Sequence, residues 1–391
     1  MDNKKLPSKT FCSAPWQATY YKESKQQYKM CCVFDKWEKA DSPEDYFNSD
    51  TVKDVRETML RGEWHKDCGV CKEQEEAGSS SDRASFNRNL DIENKPVDIN
   101  KFKLKWLDYR PGNLCNLKCR MCSGTNSSMI QDEVEKYPEL KEYTDETPIV
   151  NTDLLPSICN HETFKDLEYL KILGGEPTID PQIQKLLDWV CTNDLAKNIF
   201  LRYTTNATNY NKKWVNAVNQ FKKCKVQISL DGAGDTYEYI RTNANWNKVK
   251  QNVQEMPEKI NNITGMGTNI VWSLYNCFTV DKWYPELVDL TEIVKQRYGF
   301  YYDLHLIDTT WPDYIMVRNL PEEFKAIVLE KLNKLPQDKL VKSLKYYTRR
   351  QPKGNVDIKR FFGHNDILDK IRKTNINNIS PFYEKLRQTT I

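Results

Sequence analysis

From residue 103 to residue 309 the chain repeats one unit six times: a short strand-like run, a polar or glycine-rich break, then a helix-like stretch. The strand-like runs are KLKWLDYR, EYLKILGG, NIFLRYTT, KVQISLDG, TNIVWSLYN and YYDLHLIDT. Between them lie helical patterns such as IDPQIQKLLDWVCTND, NKKWVNAVNQFKK and WYPELVDLTEIVKQRYG. Short apolar strands that alternate with amphipathic helices predict a parallel sheet covered by helices. Each connection should then be a right-handed crossover. The breaks CNLKCRMC, GGEP, TNA, SLDG, SLYN and IDT all fall at the C-terminal ends of the strands. In a barrel-like parallel sheet that rim carries the active site. The expected fold class is α/β, a partial (β/α)6 TIM-like barrel over residues 101–310. A small cysteine-rich module is expected at 1–78, a linker or strap at 79–100, and a mostly helical extension at 311–391.

The first of those breaks holds Cys115, Cys119 and Cys122, spaced C-x3-C-x2-C. Soft thiolates suit iron–sulfur and zinc sites alike. A structural zinc would ask for four protein ligands, and the nearest histidines in sequence, His65 and His161, are far from this loop. Three thiolates can instead hold three corners of a [4Fe–4S] cube and leave one iron open to an external chelate.

This triplet behind a first strand, followed by a second strand ending Gly174-Gly175-Glu176, resembles the radical S-adenosylmethionine (radical SAM) superfamily. The likeness continues through TTNAT, ISLDG and YEYIR. It implies that Cys115, Cys119 and Cys122 ligate the cluster and that S-adenosylmethionine chelates the fourth iron. Reduction of the cofactor would then yield a 5′-deoxyadenosyl radical that takes a hydrogen atom from substrate. Met121 would lie beside the adenine, and Gly174, Gly175 and Glu176 would meet the methionine amino group. Asn206, Ser229 and Asp231 are expected near the cofactor at the ends of the third and fourth strands. Arg241 is expected to pair with the cofactor's carboxylate. Glycines permit close backbone approach, and Glu176 is a natural acceptor for an ammonium.

Five more cysteines precede residue 75, in FCSAPWQATYYKESKQQYKMCCVF and LRGEWHKDCGVC. The first of these reads as a hairpin turning at KESKQQ, and Val52, Val55, Met59 and Leu60 have the spacing of a helix leading to Cys68 and Cys71. The pattern resembles the auxiliary-cluster modules, called SPASM or twitch domains, of many radical SAM enzymes, although here it precedes the barrel rather than following it. The resemblance implies a second [4Fe–4S] cluster on Cys12, Cys31, Cys68 and Cys71, with Cys32 competing for the corner of Cys31. A zinc ion on the same four thiols is the rival, since C-x2-C pairs serve either metal. Cys159, Cys191, Cys224 and Cys277 are scattered and read as ordinary buried thiols.

The bulk numbers exclude little. Lys and Arg total 58 against 55 for Asp and Glu, giving a net charge of +3. The signs are interspersed, so neither a nucleic-acid partner nor a membrane surface follows. No run of apolar residues is long enough to span a bilayer, and no secretory signal is visible. A cytoplasmic location is expected, with the cysteines serving metal rather than bridges. Expected partners are a peptide or protein substrate and an electron donor such as flavodoxin or ferredoxin. A sugar, nucleotide or other small metabolite is the alternative substrate, and a zinc-stabilised, non-catalytic interaction protein is the alternative class. Tyr203, Tyr275, Asp303, His305 and Asp308 are further candidates to face substrate.

Overall fold

The computed structural model describes residues 6–76, 81–144, 148–308, 312–352 and 358–390. The junction expected at 78–79, Thr309 of the last strand-end break, and the boundary at 310–311 lie outside the described residues.

In chain order the strands are β1 (Ala18–Lys22), β2 (Gln27–Lys29), β3 (Glu38–Lys39), β4 (Trp106–Arg110), β5 (Lys118–Cys119), β6 (Tyr169–Ile172), β7 (Phe200–Thr205), β8 (Lys223–Ser229), β9 (Arg241–Thr242), β10 (Ile263–Trp272) and β11 (Tyr301–Asp308). The six repeats supply β4, β6, β7, β8, β10 and β11, each parallel to the next. Sheet order is β11-β10-β8-β7-β6-β4-β1-β2-β3, so the sheet stays open, with β11 and β3 at its edges. β5 and β9 form a separate two-stranded ribbon.

Helices cover one face. Those at Pro181–Thr192, Lys212–Val218, Trp246–Lys259 and Val280–Tyr298 bury Leu186, Trp214, Val253 and Leu290 respectively. Their starts follow from local chemistry: Asp180, Asn211 and Asn245 each accept hydrogen bonds from the free N–H groups of the first turn, the usual role of a short polar side chain there. The strand residues facing these helices are apolar and buried, among them Leu107, Leu170, Leu201, Val226 and Ile270.

The opposite, inner face is different, and this corrects the expectation of apolar strands. Asp108, Lys171, Arg202, Lys225 and Asp303 occupy it, and the burial of β7 and β8 alternates residue by residue. Parallel strands read as continuous apolar runs when helices cover both faces. Here the helices of the repeats cover one face only, and the strands are two-sided.

The amino-terminal residues join the same sheet. β1 runs parallel to β4, in register from Ala18↔Trp106 to Lys22↔Arg110, and β1–β2 is an antiparallel hairpin. Between the cysteine-rich residues and β4 a helix at Asp82–Asn89 crosses the inner face, with Phe86 edge-on to Trp106 at 4.8 Å and the Asn89 carbonyl accepting from the Tyr169 hydroxyl at 2.9 Å. After β11, helices at Glu322–Asn333, Lys339–Arg349, Ile358–Arg372 and Phe382–Thr390 complete the described chain. No helix among the described residues is long and apolar enough to cross a membrane.

Candidate active site

The loop after β4 is held before any ligand is considered. Ser127 caps the helix Ser128–Lys136 and its hydroxyl donates to the Leu117 carbonyl at 2.7 Å. Asn113 donates to Gln131 at 2.9 Å and accepts from Asn151 at 2.7 Å. β5, which contains Cys119, is pinned by β9. These bonds turn the three thiols toward the strand ends.

A cavity of about 390 Å³ opens there. Its walls include Cys115, Cys119, Met121 and Cys122 from the loop, Gly174, Gly175 and Glu176 after β6, Asn206 after β7, Ser229 and Asp231 at the end of β8, and Arg241 of β9. The structure therefore brings together at one cavity every residue that the sequence assigns to the first cluster and its cofactor.

Three residues carry further contacts that the sequence does not announce. Gly175 has a role in the loop as well, because a Cβ there would lie 2.0 Å from the Leu114 carbonyl oxygen. Only glycine lets the end of β6 pass this close, and the Glu176 N–H then donates to that carbonyl at 2.7 Å.

Glu176 is buried and already engaged. One oxygen accepts from the Thr178 N–H, the Thr178 hydroxyl and the Thr205 hydroxyl, and the other from the Asn206 N–H at 2.6 Å. A carboxylate offers about four lone-pair positions, so the second oxygen keeps one for a donor in the cavity. Burial raises its pKa, and these bonds only partly oppose that.

Arg241 lines the cavity and is also tied into the protein. It forms a buried ion pair with Asp231, donates to the Leu230 carbonyl at 3.2 Å and points to the Cys119 sulfur at 3.5 Å. A largely buried guanidinium must be matched by the nearest acceptors. Asp231 sits at φ 61°, a strained position for a non-glycine residue, with its other oxygen accepting from the Val271 N–H at 2.7 Å. The ion pair thus ties β8, β9, β10 and the cysteine loop together.

Burial disfavours the thiolate form of all three cysteines. Burial pushes Cys115 up to about 12 and raises Cys122, while Arg241 limits the rise at Cys119. No group of three or more His, Cys, Asp or Glu side chains among the described residues is arranged to hold a metal ion. The three thiols share a cavity wider than one ion needs, which suits a cube whose irons keep its ligands apart.

A second group lies in the amino-terminal residues. Cys12, Cys31, Cys68 and Cys71 line one small apolar pocket of about 30 Å³ with Met30, Phe34, Val55 and Met59. Cys32 is outside it and donates to Asp82 at 3.2 Å. All twelve cysteines are free thiols.

Several cavity residues escaped the sequence reading, notably Tyr20 of β1, Arg110, Asn126, Thr204, Thr205 and Val271. Tyr20 reaches the cavity only because β1 pairs with β4, a long-range parallel contact with no local signature. Of the other candidates, Tyr203 and Tyr275 are buried away from the inner face, Tyr203 edge-on to Trp214. Asp303 and His305 lie on the inner face, the His305 Nε2 2.7 Å from an Asp303 oxygen. The side chain of Asp308 lies outside the described residues.

Residues 109–271 match the model of the radical SAM superfamily. No curated protein matches the chain. Among solved structures, native anSMEcpe with bound AdoMet and Kp18Cys peptide is similar at 18% identity, over 57% of each chain, with a TM-score of 0.38. Streptococcus suis SuiB bound to precursor peptide SuiA is similar at 14% identity, over 72% of this chain and 63% of that one, with a TM-score of 0.34. The chain thus spans less than two thirds of the length of either structure.

Proposed function

We propose that this protein is a radical SAM enzyme acting on a peptide or protein side chain. The observation that carries the radical SAM reading is the convergence, on one cavity, of three cysteines from one loop with residues from the ends of β6 and β8 and the start of β9. Cys115, Cys119 and Cys122 would hold a [4Fe–4S] cluster, and Glu176, Asn206, Ser229, Asp231 and Met121 would surround S-adenosylmethionine. When bound, the cluster and cofactor supply a reductively generated 5′-deoxyadenosyl radical able to take a hydrogen atom.

The chain's own part is placement. Gly175 lets the β6 end lock onto the cysteine loop. The Asp231–Arg241 pair fixes Cys119 and presents positive charge beside a thiolate, which favours its ionised form. The second oxygen of Glu176 has a free acceptor position for the cofactor's ammonium. Thr205 and Asn206 hold that carboxylate still, so no reorganisation is needed on binding. Tyr20 closes the side of the cavity nearest the amino-terminal residues.

Cys12, Cys31, Cys68 and Cys71 form the auxiliary metal site in this reading, a twitch-like module over residues 1–78 that precedes the radical SAM barrel at 101–310. Cys31 rather than Cys32 is its ligand, because Cys31 shares the pocket and Cys32 faces Asp82. A second [4Fe–4S] cluster is the proposed occupant and zinc the alternative. A reducing cytoplasm and a small electron carrier such as flavodoxin or ferredoxin complete the reading. A small metabolite remains the second substrate reading, favoured by the charged inner face.

Anaerobic reconstitution tests it. The expected result is about eight irons per chain, as two four-iron clusters, and 5′-deoxyadenosine on reduction with S-adenosylmethionine. Zinc in place of iron with no such product would overturn it.

A further inference from the structure

Below the cavity, on the inner face, one cross-strand row joins five strands in register: Tyr20, Asp108, Lys171, Arg202 and Lys225. Neighbouring strands lie about 4.8 Å apart, so three cations stand side by side. Like charges on adjacent strands oppose folding, and here they are half-buried, where water screens them less.

The nearby acids do not resolve this. Asp108 accepts from the Trp106 indole at 2.6 Å and pairs with Lys171 at 3.5 Å. Asp82 accepts from the Cys32 thiol, and Asp303 pairs with His305. Each acid therefore has a partner other than the two cations at the far end of the row. Among the described residues, neither Arg202 nor Lys225 donates a hydrogen bond to a protein group or forms a close ion pair. Arg202 lies over the Trp106 ring at 5.3 Å and Lys225 over Tyr301 at 6.0 Å, contacts that hold a cation by its face and leave N–H donors unspent. A guanidinium and an ammonium together offer eight such donors. Burial lowers the pKa of both, only partly opposed by Asp108 near Arg202 and Asp303 near Lys225. A bound oxyanion would relieve the repulsion and occupy the donors at once.

The row is close to the chemistry. Two residues further along β4 and β7 stand Arg110 and Thr204, which line the cavity, as does Tyr20 at the end of the row itself. Two strand residues span roughly 6–7 Å. A group held on the row would leave the rest of a small substrate, or of a side chain, reaching up to the cavity.

We propose that the Lys171–Arg202–Lys225 row is the substrate's anchoring subsite and that the substrate carries an oxyanion, a carboxylate or a phosphate, that seats on Arg202 and Lys225. This rests on the reading of the cavity above it as the cofactor site.

The test uses the reconstituted full-length protein, titrated calorimetrically at fixed ionic strength with inorganic phosphate and, separately, with succinate. One or both anions should bind at millimolar concentration, and the one that does names the chemistry. Arg202→Gln and Lys225→Gln should each weaken that binding by about tenfold or more, the loss of a charge-assisted contact. Arg202→Lys, which keeps the charge, should lose less, and Lys248→Gln on the exposed surface should lose nothing. Far-UV circular dichroism of each variant checks its folding. If neither anion binds, if the inner-face variants bind like wild type, or if Lys248→Gln loses as much as they do, the proposal is overturned. A parallel titration with S-adenosylmethionine keeps the two readings apart: its failure sinks the cofactor site, whereas anion binding reports on the row.

Discussion

Arg372 ends the helix Ile358–Arg372 and reaches into the back of the cysteine loop. Its guanidinium pairs with Glu133 at 2.6 and 3.2 Å and donates to the Lys118 carbonyl at 2.9 Å and the Thr242 hydroxyl at 3.3 Å. The side chains of Arg372 and Glu133 are 1% and 3% exposed, so neither charge can turn to water. Arg372→Met would leave Glu133 buried with Lys118 as its remaining cation, at 3.0 Å. Breaking a buried pair from one side costs about 3–5 kcal/mol, whereas replacing both partners with apolar groups is often neutral. Glu133→Leu alone should likewise be costly. The double variant should recover most of the loss, a coupling of several kcal/mol, at or above the upper end of the ~0.5–3 kcal/mol usual for residues in contact. Urea unfolding of the metal-free chain, followed by tryptophan fluorescence, measures all four corners of the cycle. Because the pair clamps β5 and β9, iron retained after reconstitution should fall in the single variants and return in the double. A cost below about 1 kcal/mol for Arg372→Met, or strict additivity in the double variant, would refute the argument that a buried pair holds the loop.

Three further outcomes follow from the same geometry. Cys119→Ala should lower the iron content by about half, one cluster of two, and abolish 5′-deoxyadenosine, while retained iron and product would exclude Cys119 as a ligand. Gly175→Ala, with its Cβ driven to 2.0 Å from the Leu114 oxygen, should cost about 1–3 kcal/mol as an overpacked site and loosen the loop. An unchanged unfolding midpoint and iron content would show that the chain yields there freely. Burial pushes the carboxyl of Asp180 up to about 6 from 3.8, although the N–H groups of Ile183 and Gln182 oppose it. Between those values the folded chain keeps a proton that the unfolded chain has lost, so stability falls as pH rises through the window. Asp180→Asn keeps the helix cap and should flatten that slope, gaining up to about 3 kcal/mol at neutral pH. Superimposable pH profiles for variant and wild type would count against a raised carboxyl.

The barrel was legible because its signal is repetitive. Six repeat strands were expected and all six form and pair in parallel, since each run is short, each helix is amphipathic, and Asp180, Asn211 and Asn245 announce helix starts. The amino-terminal hairpin was legible for the same local reason. The attachment of β1 to β4 was not, because parallel pairing between segments so distant in sequence leaves no pattern in either. Helix Asp82–Asn89 was obscured by its polarity. Only Phe86 is buried within it, so its sequence carries little of the periodicity that marks a packed helix.

The site divides along the same line. Which residues surround the cavity could be read from motifs at strand ends, because a parallel sheet gathers those ends whatever the details. What each side chain does there could not, because that depends on partners brought in from other strands. Arg241 pairs with Asp231, and two of the four bonds to Glu176 come from Thr205 and Asn206 at the end of β7. The inner-face cations are the sharpest case. In sequence Lys171, Arg202 and Lys225 are single charges in separate strands, each indistinguishable from a solvated lysine or arginine. Only the register of β6, β7 and β8 sets them abreast. Among the described residues neither Arg202 nor Lys225 forms a close ion pair, and on the reading proposed above the inner face beneath the cavity keeps room there for a further negative charge.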